Sequence, residues 1–359
     1  MKLGKEVLFL RINENIRRNG EGAFIRLGDG RIMYAYTEFT NGWQDESHAN
    51  IMAVFSNDEG ESWSEKKLLI EADETAGNYM SISLLHMNNG SLGMFYLRKN
   101  NDCTTCMPYL VTSCDDGKSW SEPILCATKE AYYVTNNDRV VRSRNGDIYV
   151  PVNLHPRNDS DGKAIFGKGQ MNFFVSRDDG KHWDTASESF TRLPYEEISK
   201  TGLQETGLYE FEDGRLWAWS RTDLGCQYEC FSEDGGASWS TPLPNPFFSS
   251  PASPMQIKKV GKYTLAVFNP IPAYTTRDCT NTWGRSPLVC AVSLDDGKSF
   301  TKVFYLEDDL ENGYCYPAIY GAEDGVLFAY YHSDVKGMVL TSNMVKKVYF
   351  DEIERIRSE

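Results

Sequence analysis

Several residues able to do sugar chemistry stand at one fixed offset along this chain. Glu21, Ser81, Asn137, Glu205 and Tyr316 each lie nine residues before a turn glycine, at Gly30, Gly90, Gly146, Gly214 and Gly325. Ala252 holds the same place before Gly261. Seven residues after those glycines come Thr37, Leu97, Asn153, Arg221, Phe268 and His332. Asp138 and Arg139 follow Asn137. Carboxylates move protons, amides and hydroxyls bond sugar hydroxyls, aromatic faces cover sugar rings, and arginine forks match carboxylates. A strand end that faces a packed core is apolar, yet five of the first six positions are polar. Solvation explains any one of them. It does not explain their common register.

The elements that must position these residues are repeats. Ser-x-Asp-x-Gly-x-x-Trp occurs at Ser56–Trp63, Ser113–Trp120, Ser176–Trp183 and Ser232–Trp239, and Ser293–Phe300 replaces Trp by Phe. Successive copies start 57, 63, 56 and 61 residues apart, so one supersecondary unit is copied around an array. Asp and Gly make a turn after a β-rich run such as Ile51–Phe55. An earlier hairpin signal precedes each motif, at Asp29-Gly30, Asn89-Gly90, Asn145-Gly146, Asp213-Gly214 and the weaker Val260-Gly261; Asp324-Gly325 adds a sixth. Two hairpins per repeat make a four-stranded meander. Six meanders make an all-β, six-bladed propeller of antiparallel blades, with residues 1–359 as one domain. The last blade lacks the second motif. Met338–Thr341 and the N-terminal Val7–Arg11 are expected to supply its outer strands and close the ring. In such a blade the inner strand runs toward its turn glycine and the next strand returns. The two residue sets above therefore meet at one mouth of the axis, opposite that turn.

Composition narrows the partners. The net charge of −14 argues against nucleic acid and against a broadly cationic surface; an acidic ligand must be met by local arginines. No apolar run reaches membrane length. Met1–Glu6 lacks the apolar core of a signal peptide, which points to a cytoplasmic protein. Nine cysteines form no framework, and Cys103-Thr-Thr-Cys106 has no second pair, so neither a metal site nor another cofactor is expected. The partner expected is a glycan.

With the Asp-box repeats and these residues in place, the chain resembles the sialidase (neuraminidase) superfamily from about Arg18 to Tyr331. Such enzymes cleave a terminal acidic sugar with retention. Their nucleophile is a tyrosine activated by a glutamate, an aspartate is the acid/base, and three arginines hold the sugar carboxylate. Gln204-Glu205-Thr-Gly, followed by Asp213–Arg221, looks like the family's glutamate-to-arginine segment. The resemblance thus implies that Glu205 activates the tyrosine and Arg221 binds the carboxylate. Gly284-Arg285, leading into the last Asp box, implies Arg285 as a second binder, and Tyr316-Pro-Ala-Ile resembles the nucleophile strand. Tyr314, two residues earlier, is the alternative nucleophile. Asp45, in the loop before Ile51, falls where the acid/base is expected. The roles are physically coherent: a tyrosine near its usual pKa of about 10 is a poor nucleophile until a carboxylate takes its proton and arginines favour the phenolate.

Two departures stand out. The family's first arginine lies about ten residues before the first turn glycine, where this chain has Gly20. The glutamate that braces that arginine is absent from Ala329–His332. Arg17 or Arg18 is then the candidate to reach in from the adjoining segment, and Glu21 brings a negative charge that suits a sugar hydroxyl. These changes point to a terminal sugar other than a common sialic acid. His48, Asn137, Asp138, Arg139 and Arg98 complete the candidate ligand groups. A carbohydrate-binding propeller without catalysis stays open. So does a polysaccharide lyase on the same scaffold, with a tyrosine or one of His48, His155 and His332 as base.

Overall fold

Each Asp box folds as a turn because its own polar groups satisfy it. In the first, Ser56 Oγ accepts from Gly60 N at 2.8 Å, and Asp58 Oδ1 accepts from Ser62 N at 2.9 Å. Trp63 Nε1 then donates back to Gly60 O at 3.2 Å. The residue before each box glycine is left-handed: Glu59, Asp116, Asp179, Gly235 and Asp296 have φ between 56° and 71°. That geometry is costly for a residue with a Cβ. It aims the acidic side chains at the neighbouring blade. Asp116 accepts from Gly28 N at 2.7 Å, Asp179 from Asn88 N at 3.0 Å, and Glu59 from Glu323 N at 2.9 Å. The boxes therefore fasten blade to blade at the rim.

The computed structural model describes residues 1–102, 104–158, 165–273 and 277–358. They form six antiparallel blades around one axis, as the repeats require. Blade 1 runs outward through Arg18–Arg26, Ile32–Phe39, Ala49–Ser56 and Lys67–Ile70. Blade 2 follows with Ala76–His86, Leu92–Asn100, Cys106–Ser113 and Ile124–Leu125. In blade 3 the inner strand is split into Tyr133–Val134 and Val141–Arg142, which pair with Ile148–Leu154. Blades 4 and 5 begin at Gln204–Glu210 and Gln256–Val260. Blade 6 is Tyr314–Gly321, Gly325–His332 and Ser342–Tyr349, closed by the N-terminal strand Lys5–Leu10.

The N-terminal closure is as expected. The third strand of blade 6 is not: it is Ser342–Tyr349, paired over its full length with Gly325–His332. The expected strand, Met338–Thr341, lies instead in the preceding loop, where Val339 packs on Cys315 and Tyr331. Hydrophobic clusters between successive blades form the core. A C-terminal helix, Phe350–Ser358, sets Ile353 against the interface of blades 5 and 6. No helix among the described residues is long and apolar enough to cross a membrane. Cys103 lies outside the described residues, and no group of metal-ligating side chains occurs among those described.

The inner strands share one irregularity. Glu21, Ser81, Asp138, Glu205 and Tyr316 all have φ between 50° and 59°. In blades 1, 2, 4 and 6 the strand register slips at that residue, as at a β-bulge. A bulge re-aims one side chain. Here it turns Glu21, Ser81, Glu205 and Tyr316 toward the mouth of the axis.

Candidate functional site

The left-handed bulges bring Glu205 of blade 4 and Tyr316 of blade 6 together. Tyr316 Oη donates to Glu205 Oε1 at 2.7 Å. Arg221, at the end of the next strand of blade 4, donates Nη1 to the same oxygen at 2.8 Å. Burial works against the charge on Glu205, but Arg221 and the Tyr316 hydroxyl more than offset it, so its carboxyl lies below the usual range. Burial and Glu205 push the Tyr316 phenol well up, against Arg285 and Arg221. The resting pair is thus a neutral phenol donating to a carboxylate. Arg285 lies over the Tyr316 ring at 5.5 Å and over Trp283 at 5.5 Å. Its hydrogen bonds go to uncharged acceptors, Cys315 Sγ and Ala252 O at 3.2 Å each, and its buried Nε has no partner. A guanidinium so held can take an anion.

On the other side of the mouth, Arg18 does reach in. It lies on the inner strand of blade 1 and is 1% exposed. Nε donates to Tyr331 Oη at 2.7 Å, Nη1 to Asp45 Oδ1 at 2.6 Å, and Nη2 to Glu21 Oε1 at 2.5 Å. Glu21 is completed by Ser81 Oγ, donating at 2.6 Å. Gly20 is explained by the same cluster: a Cβ there would sit 2.3 Å from the Tyr331 ring. Tyr331 fills the volume beside Gly20, and Arg18 bonds to its hydroxyl. Burial pushes the Glu21 carboxyl up, with Arg18 pulling the other way.

The Asp45 side chain is 60% exposed. Partial desolvation opposes its charge, but Arg18 and Lys99 hold its carboxyl well below the usual range. In this arrangement it is an ion, not a proton donor. Donation requires it to leave Arg18.

A cleft of about 80 Å³ separates the two halves, lined by Glu21, Asp45, Ser81, Lys99, Glu205 and Tyr316. Met80, Leu97 and Val134 form an apolar wall. Small-molecule sites usually exceed about 300 Å³. With Asp45 held on Arg18, the cleft is narrower than such a site. A larger hollow of about 490 Å³, walled by Phe231, Phe247 and Phe300 between blades 4 and 5, contains none of these residues.

Other expected ligand groups lie elsewhere. Tyr314 is 1% exposed and packs edge-on against Tyr330 and His332 in the core, because the bulge at Tyr316 breaks the alternation that would put both tyrosines on one side. Arg98 points to the rim, pairing with Asp73 at 2.9 Å. Asn137 gives Nδ2 to Gly22 O at 2.8 Å. Asp138 is a staple across the axis. Its backbone N donates to Ile82 O at 2.9 Å, while its carboxylate accepts from Ile319 N at 3.0 Å and Gln256 Nε2 at 3.2 Å and pairs with Lys258 at 2.6 Å. Arg139 is buried behind Glu205 over Trp219, with Nε and Nη1 unpartnered. Burial, partly offset by Glu205, pushes it down to about 10. His48 stays in its loop, His155 bonds Gly167 O at 3.0 Å, and His332 packs on Tyr314 and Phe9. None of these histidines lines the cleft, so a lyase base there would have to be a tyrosine.

Sequence reasoning missed Lys99, Asn78 and Tyr331. Only Lys99 left a trace. Strand alternation puts Arg98 and Lys99 on opposite faces, so with one at the rim the other turns inward.

Residues 30–329 match the BNR repeat-like domain family. No curated protein matches this chain in sequence. Among solved structures, a protein of unknown function from Dyadobacter fermentans superposes with a TM-score of 0.71 at 17% identity, covering 96% of this chain and 99% of that one. The NanB sialidase of Streptococcus pneumoniae gives 0.72 at 12% identity, over 97% of this chain and 71% of that one. The intramolecular trans-sialidase of Ruminococcus gnavus gives 0.69 at 14% identity, over 94% and 95%.

Proposed function

Since the chain belongs to the BNR repeat-like domain family and has a sialidase-like fold, we propose that it is an exo-acting, retaining glycosidase for a terminal acidic sugar. The observation that carries the reading is the 2.7 Å contact from Tyr316 Oη to Glu205 Oε1, with Arg221 and Arg285 beside it. Unlike the buried Tyr330–Glu307 pair in the core, this phenol and carboxylate line the cleft, where they can meet a sugar.

In this mechanism the sugar carboxylate lies against Arg285 and Arg221. Tyr316 Oη attacks the anomeric carbon and passes its proton to Glu205. The bond to the leaving oxygen breaks as that oxygen takes a proton from Asp45. Asp45 then accepts a proton from water, the water oxygen displaces Tyr316, and Glu205 returns the phenolic proton. Two inversions give retention. Arg18, tied to Glu21 and Asp45, is less free for the carboxylate than Arg285, which favours an acidic sugar other than common sialic acid.

The test is a screen of aryl glycosides and acidic oligosaccharides with wild type, Tyr316→Phe and Glu205→Gln, with the product anomer read by NMR. Cleavage with retention, lost in both variants, supports the reading. Glycan binding without cleavage of any substrate makes the protein a lectin-like propeller instead.

A further inference from the structure

Asp45 sits in an exposed loop, yet its backbone is held from below by two buried polar side chains. Asn78 and Lys99 face each other across the two inner strands of blade 2. They are 0% and 5% exposed. Asn78 Nδ2 donates to Asp45 O at 2.5 Å and to Ser47 O at 3.2 Å. Lys99 Nζ donates to Asp45 O at 3.1 Å. Two donors from one cross-strand pair thus converge on the carbonyl of the residue whose carboxyl faces the cleft. Elsewhere the loop backbone is held by Ser47 N to Gln44 O at 3.0 Å, Thr40 N to His48 O at 3.1 Å and Arg18 Nη1 to Trp43 O at 3.3 Å.

A buried ammonium is expensive to place. One amide suffices to satisfy one carbonyl, and Asn78 already does so. A methionine would fill the same volume against the ring of Tyr132, which lies 5.9 Å from Lys99 Nζ. The lysine therefore contributes something packing does not: a fixed positive charge under Asp45. The charged groups around that carboxyl are Arg18 and Glu21 from blade 1, Lys99 from blade 2 and Arg285 from the loop between the second and third strands of blade 5.

We propose that Asn78 and Lys99 are positioning residues that pin the main chain at Asp45, so that only its side chain swings between Arg18 and the leaving oxygen. The proposal rests on the acid/base reading of Asp45. Under it, the contact with Arg18 forms by a side-chain rotation above a fixed backbone, not by the fall of a loop. Lys99 also draws the ionised carboxylate back between turnovers.

The experiment uses the full chain and two aryl glycosides of the acidic sugar that wild type cleaves in the screen above, one with a 4-nitrophenyl and one with a 4-methoxyphenyl leaving group. The second depends on proton donation far more than the first. In Lys99→Met and Asn78→Ala, kcat on the 4-methoxyphenyl glycoside should fall about tenfold to a hundredfold, and on the 4-nitrophenyl glycoside only a fewfold. Losing the lysine charge raises the pKa of Asp45, so the alkaline limb of Lys99→Met should move up by about one pH unit. Lys99→Arg should restore the limb. Equal losses on both substrates with an unmoved limb would mean plain structural damage and overturn the proposal. Amide exchange of residues 41–48 gives a readout without turnover: both variants should speed it at least tenfold while the outer strands stay protected. Wild type inactive on every glycoside of the screen would count against the glycosidase reading. Exchange still decides the pinning in that case, because unchanged rates in the loop overturn it.

Discussion

Replacing Glu21 by Gln should tighten the site's grip on an acidic sugar. The swap keeps the shape. The Ser81 hydroxyl can reverse and accept from the new amide, while the amide oxygen still receives Arg18. What changes is charge. Arg18 and Lys99 are balanced by Glu21 and Asp45, so an entering carboxylate meets a neutral cluster. Without Glu21 it meets one net positive charge. At roughly 6 Å and an effective dielectric near 20, that difference is about 3 kcal/mol. Water in an open cleft reduces it, leaving about tenfold to a hundredfold in affinity. The pH dependence has a definite sign. Burial raises the Glu21 carboxyl, so as pH falls through that raised pKa the wild-type residue becomes neutral and the two proteins converge. The advantage of Glu21→Gln is therefore largest at neutral to alkaline pH. Calorimetric Kd values for free N-acetylneuraminic acid across about pH 5 to 8 would show it. Equal affinities at every pH, or weaker binding by Glu21→Gln at pH 8, would refute the idea that Glu21 quenches Arg18.

Other outcomes follow from the same geometry. Tyr316→Phe keeps the ring and removes the nucleophile, and kcat on whichever glycoside wild type cleaves should drop by roughly a hundredfold to ten-thousandfold with little change in melting temperature. Asp138→Ala strands the Ile319 N–H and the Lys258 ammonium at the axis, at a cost of about 3 kcal/mol. With unfolding entropy near 2.1 cal/mol/K per residue, that is a fall of about 4 °C in Tm by calorimetry. Gly20→Ala drives a methyl group into the Tyr331 ring; it should cost about 1–3 kcal/mol and loosen Arg18, seen as weaker binding of an acidic sugar.

The legible parts of this chain were those fixed locally. An Asp box needs a serine, an aspartate and a left-handed pair within a few residues, so five copies announced the propeller. Glu205, Arg221 and Tyr316 were found because a period relates them to turn glycines. The ruler slipped where spacing varied by one: the left-handed residue of blade 3 is Asp138, not Asn137. Tyr314 misled because strand alternation was assumed to run through a bulge. The last blade's third strand was misplaced because no turn motif marks its start. Tyr331, Asn78 and Lys99 act only through groups on other blades, and no local pattern encodes such contacts.

The five left-handed residues on the inner strands have a consequence for how such a protein can change its chemistry. The unusual torsion belongs to the scaffold, at the same height in each sheet that bears one. What occupies it is a carboxylate in three blades, a hydroxyl in one and a phenol in another. Each position is a socket whose backbone mould is already cast, so one codon can replace the tool it presents without rebuilding the strand that holds it. Glycine would fit every socket with less torsional stress. It would present no tool, however, and at Asp138 it would also lose the contacts to Ile319 N and Lys258 that tie blade 3 to blades 5 and 6.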